Sequence, residues 1–328
     1  MTASRPLVLW IAPWYPPDYG GGAEWTAHEF NRFLIASRGV RVIVASARVP
    51  AGKFEGVEIR SVIDPPGLRR LVGRASVICT QLDHTGLAAH LATVCRKPIV
   101  YFMHSTLRLA CPYRPDNPAP QHVVYNAEWV RDELAFPMTS VVARPPVDWR
   151  RFRVETTREC VTLVNVRADK GSAVFFECAR RMPGRRFLGS MGFLPPSSEP
   201  PALPNVECVP FVRDARQIYA RTRVLLMPSA YESWGRTAVE AMASGIPVIA
   251  HPTPGLRESL GPAGIFCDRD RVEDWVAAIE RLDDPTAYAA ASDAAWRRAR
   301  ELDPADDLER VGKLVDRCLK YGAVPPLS

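Results

Sequence analysis

Apolar positions along the chain come in short unbroken runs separated by stretches with a helical period. Leu7-Val-Leu-Trp-Ile-Ala12 is apolar throughout, as in a parallel strand covered on both faces. Residues 41–46, 75–80 and 97–103 repeat that pattern, residues 123–126 form a shorter run, and residues 57–62 alternate with period two. Between them, residues 25–37 put Ala27, Phe30, Phe33 and Leu34 on one side of a helix. Residues 85–94 and 128–134 read as further helices. The alternation resumes in the second half. Strands are expected at 160–165, 186–191, 223–227 and 248–250, with helices at 173–181 and 237–244. Helices at 272–282, 286–301 and 308–321 follow. Strands alternating with helices predict an α/β protein built on parallel sheets. Pro145 and Pro146 stiffen the passage between the halves, so the expected domains are residues 1–146 and 147–328. Residues 107–121 hold four prolines and read as a loop.

Composition narrows the class without naming a function. A chain of 328 residues has room for two domains, and 47% hydrophobic content argues against disorder. No apolar run approaches the ~20 residues of a membrane helix. Residues 1–6 lead straight into the first strand, which does not read as a signal peptide. The eight cysteines stand singly, without zinc or redox spacing, and point to a reducing cytoplasm. A net charge of +6 would suit nucleotide phosphates, an anionic acceptor or peripheral contact with a membrane surface. It is also ordinary for an Arg-rich chain, and no nucleic-acid binding is inferred from it.

Candidate chemistry concentrates in residues 225–250, where strand, loop, helix and strand form one crossover unit. Ligands of open α/β sheets bind beyond the carboxyl ends of the strands, which here means the loop from Ser229 to Gly235. Glu232 lies in that loop, and Glu240 lies eight positions on, inside the helix. Gly235 permits a close backbone approach. The N–H groups of Arg236, Thr237 and Ala238 have no partner inside the helix, so they suit a phosphate. An ionised carboxylate only accepts hydrogen bonds, so Glu240 suits a pair of sugar hydroxyls. Spacing alone equally allows Glu240 to be a solvated helix carboxylate and Glu232 a surface loop residue. In the first half, the loop 13–24 carries Gly20, Gly21 and Gly22 between a strand and a helix. That arrangement can cradle a ligand, but its spacing is not the dinucleotide fingerprint.

Taken whole, Glu232-Ser-Trp-Gly-Arg-Thr-Ala-Val-Glu240-Ala-Met-Ala-Ser-Gly245-Ile-Pro247-Val-Ile resembles the two-glutamate signature of retaining, nucleotide-sugar-dependent glycosyltransferases of family 4. These adopt the GT-B fold, two Rossmann-like domains facing a central cleft, which implies that residues 1–146 form the acceptor side and residues 147–328 the nucleotide-sugar donor side. The resemblance implies that Glu232 meets the donor sugar. It implies that the backbone of Ser233, Trp234, Gly235 and Arg236 meets sugar or phosphate, Thr237 a phosphate, and Glu240 the ribose. It extends to Gly21 and Gly22, implied to lie beside the donor sugar and diphosphate, and to His104 after its strand, implied to face the transferred sugar. Arg167 and Lys170 match the two cations that grip the diphosphate. Two departures stand out: Val166 replaces the usual glycine, and the gap between the cations is about two residues short. Phe211 and Val212 fall where the family reads the nucleobase. Gly255-Leu-Arg-Glu258 matches a Gly-x-x-Glu loop. In that fold the last helix commonly crosses back to the first domain, so the helix from Leu308 is a candidate to pack on the N-terminal half.

The implied reaction moves a sugar from a nucleoside-diphosphate sugar to the hydroxyl of an unknown acceptor. It retains anomeric configuration and uses no metal or other cofactor; Glu232 would orient the sugar rather than attack it. Two other readings stay open. One is a non-catalytic nucleotide-sugar-binding partner subunit, suggested by the short Arg167–Lys170 gap. The other is a nucleoside-diphosphate-sugar epimerase of the same fold. The nucleotide, the sugar, the linkage and the oligomeric state leave no mark in the sequence.

Overall fold

The structure, a computed structural model, describes residues 5–62, 64–106, 111–193 and 199–322. Contacts divide the chain into two compact units, Met1–Pro146 with Pro304–Ser328, and Val147–Asp303. The first unit begins with β1 (Leu7–Ile11), α1 (Gly22–Arg38), β2 (Arg41–Ser46), β3 (Gly52–Phe54), β4 (Val57–Ser61) and α2 (Pro65–Arg74). It continues with β5 (Val77–Gln81), α3 (Thr85–Val94), β6 (Ile99–Met103), β7 (Gln121–Tyr125), α4 (Glu128–Leu134) and β8 (Thr139–Val142). The strands lie in the order β3-β4-β2-β1-β5-β6-β7-β8, parallel throughout except for the β3–β4 hairpin. The central strands β1, β5 and β6 are buried at every position, which is why they read as unbroken apolar runs.

The second unit contains α5 (Trp149–Phe152), β9 (Cys160–Val164), α6 (Ser172–Arg181), β10 (Arg186–Ser190), β11 (Val206–Val209) and α7 (Arg216–Tyr219). Then come β12 (Thr222–Met227), α8 (Arg236–Met242), β13 (Val248–Ala250), α9 (Pro254–Leu260), β14 (Ile265–Phe266), α10 (Val272–Arg281) and α11 (Pro285–Glu301). Its six parallel strands run β11-β10-β9-β12-β13-β14. Beyond them α12 (Ala305–Gly322) joins the first unit. Val311, Leu314, Val315 and Cys318 enter the same core as Trp10, Phe30 and Phe102. Asp307, 1% exposed, accepts from the Arg144 backbone N–H and takes its guanidinium at 2.7 Å. Arg38 of α1 reaches both Glu309 and Asp316.

Several elements depart from the sequence pattern for local reasons. Residues 255–258, expected as a loop, form the body of α9: Thr253 caps it by accepting from the Leu256 N–H, and Pro254 fits its first turn. Pro65, Pro66 and Gly67 look like breakers yet start α2, because Asp64 accepts from the Gly67 N–H and the prolines occupy first-turn positions. β3 has no buried side chain, and α5 and α7 span four residues each, too short for a period to show. The run at 123–126 is the end of a strand that starts at Gln121. Residues 107–110 of the expected proline-rich loop lie outside the described residues. Among the described residues no helix is long and apolar enough to cross a membrane.

Candidate active site

In the second unit the chain order reverses between β9 and β12, neighbours in the middle of the sheet. At such a reversal the flanking loops part and leave a crevice beyond the carboxyl ends. Two loops rise there, 165–171 after β9 and 228–235 after β12. They are bound backbone to backbone. The Ala230 N–H donates to the Asp169 carbonyl at 2.9 Å. Gly171 has a φ of +81°, and a Cβ on it would fall 2.3 Å from the Pro228 carbonyl oxygen. From α9, a Cβ on Gly255 would fall 2.3 Å from the Glu232 carbonyl oxygen. The loop carrying Glu232 is therefore clamped at both ends by contacts that only glycine permits.

The side chains of these loops form two polar clusters. In the first, Lys170 Nζ lies 2.5 Å from Glu232 Oε1, and the Ser229 hydroxyl donates to the same oxygen at 2.9 Å. In the second, Glu240 Oε1 accepts from Arg236 Nε at 2.7 Å, and Oε2 accepts from the Tyr219 hydroxyl at 2.8 Å. Arg236 and Glu240 are almost wholly buried, and the guanidinium packs over the Phe152 ring at 5.7 Å. Burial and the Glu240 carboxylate together push the Tyr219 phenol far above its ordinary pKa, so it stays protonated and donates to the carboxylate. Trp234, 3% exposed, keeps its indole N–H buried without a partner.

Both helices that leave this edge start on a left-handed glycine with no side-chain cap, Gly171 for α6 and Gly235 for α8. Some of their first N–H groups are already engaged: that of Ser172 donates to the Arg167 carbonyl at 3.1 Å, and that of Ala238 to the Gly235 carbonyl at 2.9 Å. Of the three N–H groups expected at 236–238 to be open, the Ala238 one is therefore taken, because the first turn of α8 closes tightly on Gly235. Thr237 sits half-buried in the first turn of α8, and Ser233 is half-buried in the loop before it.

The two cations matched to the diphosphate each have a carboxylate partner. Lys170 is engaged by Glu232. Arg167 Nε lies 3.0 Å from Asp169, and the residue lines a cavity of about 510 Å³ with Ser172, Phe176 and Arg269, whose lining includes neither Lys170 nor Glu232. Phe211 and Val212 follow the edge strand β11, two strands from β9. Phe211 is exposed with its ring 6.5 Å from that of Phe193, and Val212 packs on Cys160, Leu188 and Ile218.

In the first unit, Gly21 is the N-cap of α1 and Gly22 its first residue. The Gly21 N–H donates to Glu24 Oε2 at 2.8 Å, and burial holds that carboxyl above its ordinary pKa. His104 follows β6, and its Nε2 lies 3.0 Å from Gln81 Oε1 at the end of β5. Burial lowers the His104 pKa to about 4, so the ring is neutral at pH 7. Tyr219, Ser229, Gln81 and Glu24 were not singled out in the sequence. Glu24 had a signal, since it stands three residues after the cap as in a capping box; Ser229 stands three residues before Glu232 in the same loop, while Tyr219 and Gln81 meet their partners only through the fold.

Two parallel-sheet α/β units with polar clusters at strand carboxyl ends have the architecture of the GT-B fold. Residues 193–284 match the family Glycosyl transferases group 1. Among curated proteins it is 36% identical over 88 residues to the D-inositol 3-phosphate glycosyltransferase of Rhodococcus opacus (strain B4), covering 26% of this chain and 20% of that protein. The enzyme of the same description from Mycobacteroides abscessus is 28% identical over 181 residues, covering 48% of this chain and 40% of that one. The chain thus spans well under half the length of these relatives. Among solved structures, a glycosyltransferase from Rickettsia africae ESF-5 superposes with a TM-score of 0.75 at 14% identity, covering 96% of this chain and 99% of that one. Anabaena HepE in complex with UDP and glucose gives 0.74 at 15%, covering 94% and 99%. Sucrose-phosphate synthase from Thermosynechococcus elongatus gives 0.75 at 16%, covering 97% and 100%.

Proposed function

We propose that the chain is a retaining glycosyltransferase that moves a sugar from a nucleoside-diphosphate sugar to an acceptor hydroxyl. The observation that carries this reading is the pair of carboxylates on one clamped loop-helix segment. Glu232 is held by Lys170 and Ser229, and Glu240 by Arg236 and Tyr219, at the sheet reversal of the second unit. The match of residues 193–284 to group 1 glycosyltransferases and the UDP in complex with Anabaena HepE support a nucleotide-sugar donor.

In this reading Glu240 meets the ribose. It already accepts two hydrogen bonds, which fix its orientation, and a carboxylate has lone pairs left for hydroxyls. The uncapped starts of α6 and α8 at Gly171 and Gly235 receive the diphosphate. Lys170 shifts from Glu232 towards the leaving phosphate as charge develops, and Arg167 assists from the exposed side. Glu232, released in part, accepts from the donor sugar hydroxyls and orients it. His104, neutral and fixed by Gln81, hydrogen-bonds the transferred sugar, while Gly21 and Gly22 let the backbone approach the donor. The leaving phosphate takes the acceptor proton on the face it vacates, which retains configuration. Metal independence and a cytoplasmic location are parts of the same proposal.

The test is product analysis by NMR with UDP-, GDP- and ADP-sugars and candidate acceptors. An axial donor yielding an axial product, at a rate unchanged by chelator, is the expected result. An inverted product, or a glycosyl adduct on Glu232, would overturn the mechanism; epimerised donor without acceptor would identify the epimerase.

A further inference from the structure

The first unit carries a cation at its ligand edge that neither the fold nor the donor reading uses. Its sheet reverses order between β1 and β5, so a crevice opens beyond their carboxyl ends. Arg48 stands two residues past β2, the other neighbour of β1. Its backbone N–H donates to Ser46 Oγ at 3.1 Å, and that hydroxyl donates to the Pro13 carbonyl at 2.8 Å, which ties the loop after β2 to the loop after β1. The guanidinium lies over the Trp14 ring, 5.2 Å from its centroid. Trp14 in turn stacks on Tyr19 at 5.4 Å and 25°.

Among the described residues no carboxylate pairs with the Arg48 side chain. His84, ending the short turn Leu82–His84 after β5, has its Nδ1 buried without a hydrogen-bond partner. Burial, and next the charge of Arg48, hold this ring below its ordinary pKa, so it is neutral at pH 7. Asp83 also acts on His84 but forms no ion pair with Arg48.

An arginine held by its face keeps its five N–H donors, which lie in the plane of the fork and match the oxygens of a phosphate or carboxylate. Orienting such a long side chain in advance lowers the ordering cost when an anion binds. We propose that Arg48, oriented by Trp14, forms an anion subsite that recognises a phosphate group on the acceptor. This rests on the reading that the first unit receives the acceptor.

The test uses the full chain with its donor site filled by saturating UDP, or by whichever nucleoside diphosphate stabilises it. Inorganic phosphate, glucose 6-phosphate and glucose are then titrated by calorimetry. Wild type is expected to bind inorganic phosphate and glucose 6-phosphate but not glucose. Arg48→Gln should weaken both at least tenfold, Arg48→Lys by less, and Trp14→Leu should weaken them with the charge still present. Nucleotide affinity should not change in any variant. Phosphate binding that is absent in wild type, equal in Arg48→Gln, or displaced by the nucleotide would overturn the subsite. Inorganic phosphate binding without the ester would overturn its assignment to an acceptor. Failure of every nucleotide to bind wild type would instead refute the donor reading, and the Arg48 comparison, run without nucleotide, would still decide the subsite.

Discussion

Glu240 shows how much a single position depends on its partners. A carboxylate this deeply buried is tolerated because Arg236 and Tyr219 supply charge-assisted hydrogen bonds to both oxygens. Tyr219→Phe removes one of these donors and leaves the shape of the core intact. It should cost about 1–3 kcal/mol of stability, read from the urea midpoint, and should weaken nucleotide binding. A midpoint within error of wild type would mean the contact is idle. His104 and His28, the latter buried on α1, give a pH signature at the same scale. Burial holds each near a pKa of about 4, against 6.5 for the ordinary ring. Above pH 6.5 both states are neutral and the stability is fully present. As pH falls from 6.5 towards 4 the unfolded chain takes up protons that the fold refuses, and stability is lost. The slope is up to about 1.4 kcal/mol per pH unit for each ring. His104→Gln should flatten that slope in urea titrations between pH 4.5 and 7; an unchanged slope would place His104 in a solvated site. The identity of Glu232, Glu240, Lys170 and His104 as candidates was legible in the sequence. Their pairing was not, because Lys170 meets Glu232 across 62 positions and Glu240 meets Tyr219 across a strand.

At the scale of elements, legibility followed length and burial. Strands covered on both faces stood out as apolar runs, and α10 and α11 as amphipathic stretches. Elements governed by caps were obscured, as α2 and α9 show, since proline and glycine there serve a first turn rather than a break. Gly255 illustrates the point. It reads as a loop glycine, but it sits in α9 because the Glu232 and Ser233 backbone passes where its side chain would be. Backbone cannot yield as a side-chain tip does. Gly255→Ala should therefore displace the Glu232 loop, lower stability by about 1–3 kcal/mol and reduce transfer more than Glu258→Ala. Full activity in Gly255→Ala would show that the loop is not clamped from α9.

At the scale of the molecule, the chain builds its first unit from both of its ends. Leu314, Val315 and Cys318 of α12 fill the core beneath β1 and α1, and Asp307 answers Arg144 from inside that core. Asp307→Ala leaves Arg144 half-buried without its carboxylate and should lower the stability of the first unit by about 3 kcal/mol, seen as an earlier thermal transition. The second unit keeps its own core and clusters. The account turns on those clusters binding a nucleoside diphosphate, and the most direct measurement is a thermal-shift series with UDP, GDP and ADP on wild type, Glu240→Gln and Glu240→Ala. One nucleotide at ~100 times its dissociation constant should add about 2.7 kcal/mol to the wild-type native state. Glu240→Gln, folded as wild type, should lose most of that shift. No shift in wild type with any of the three, or a full shift retained by both variants, would contradict the donor site as assigned.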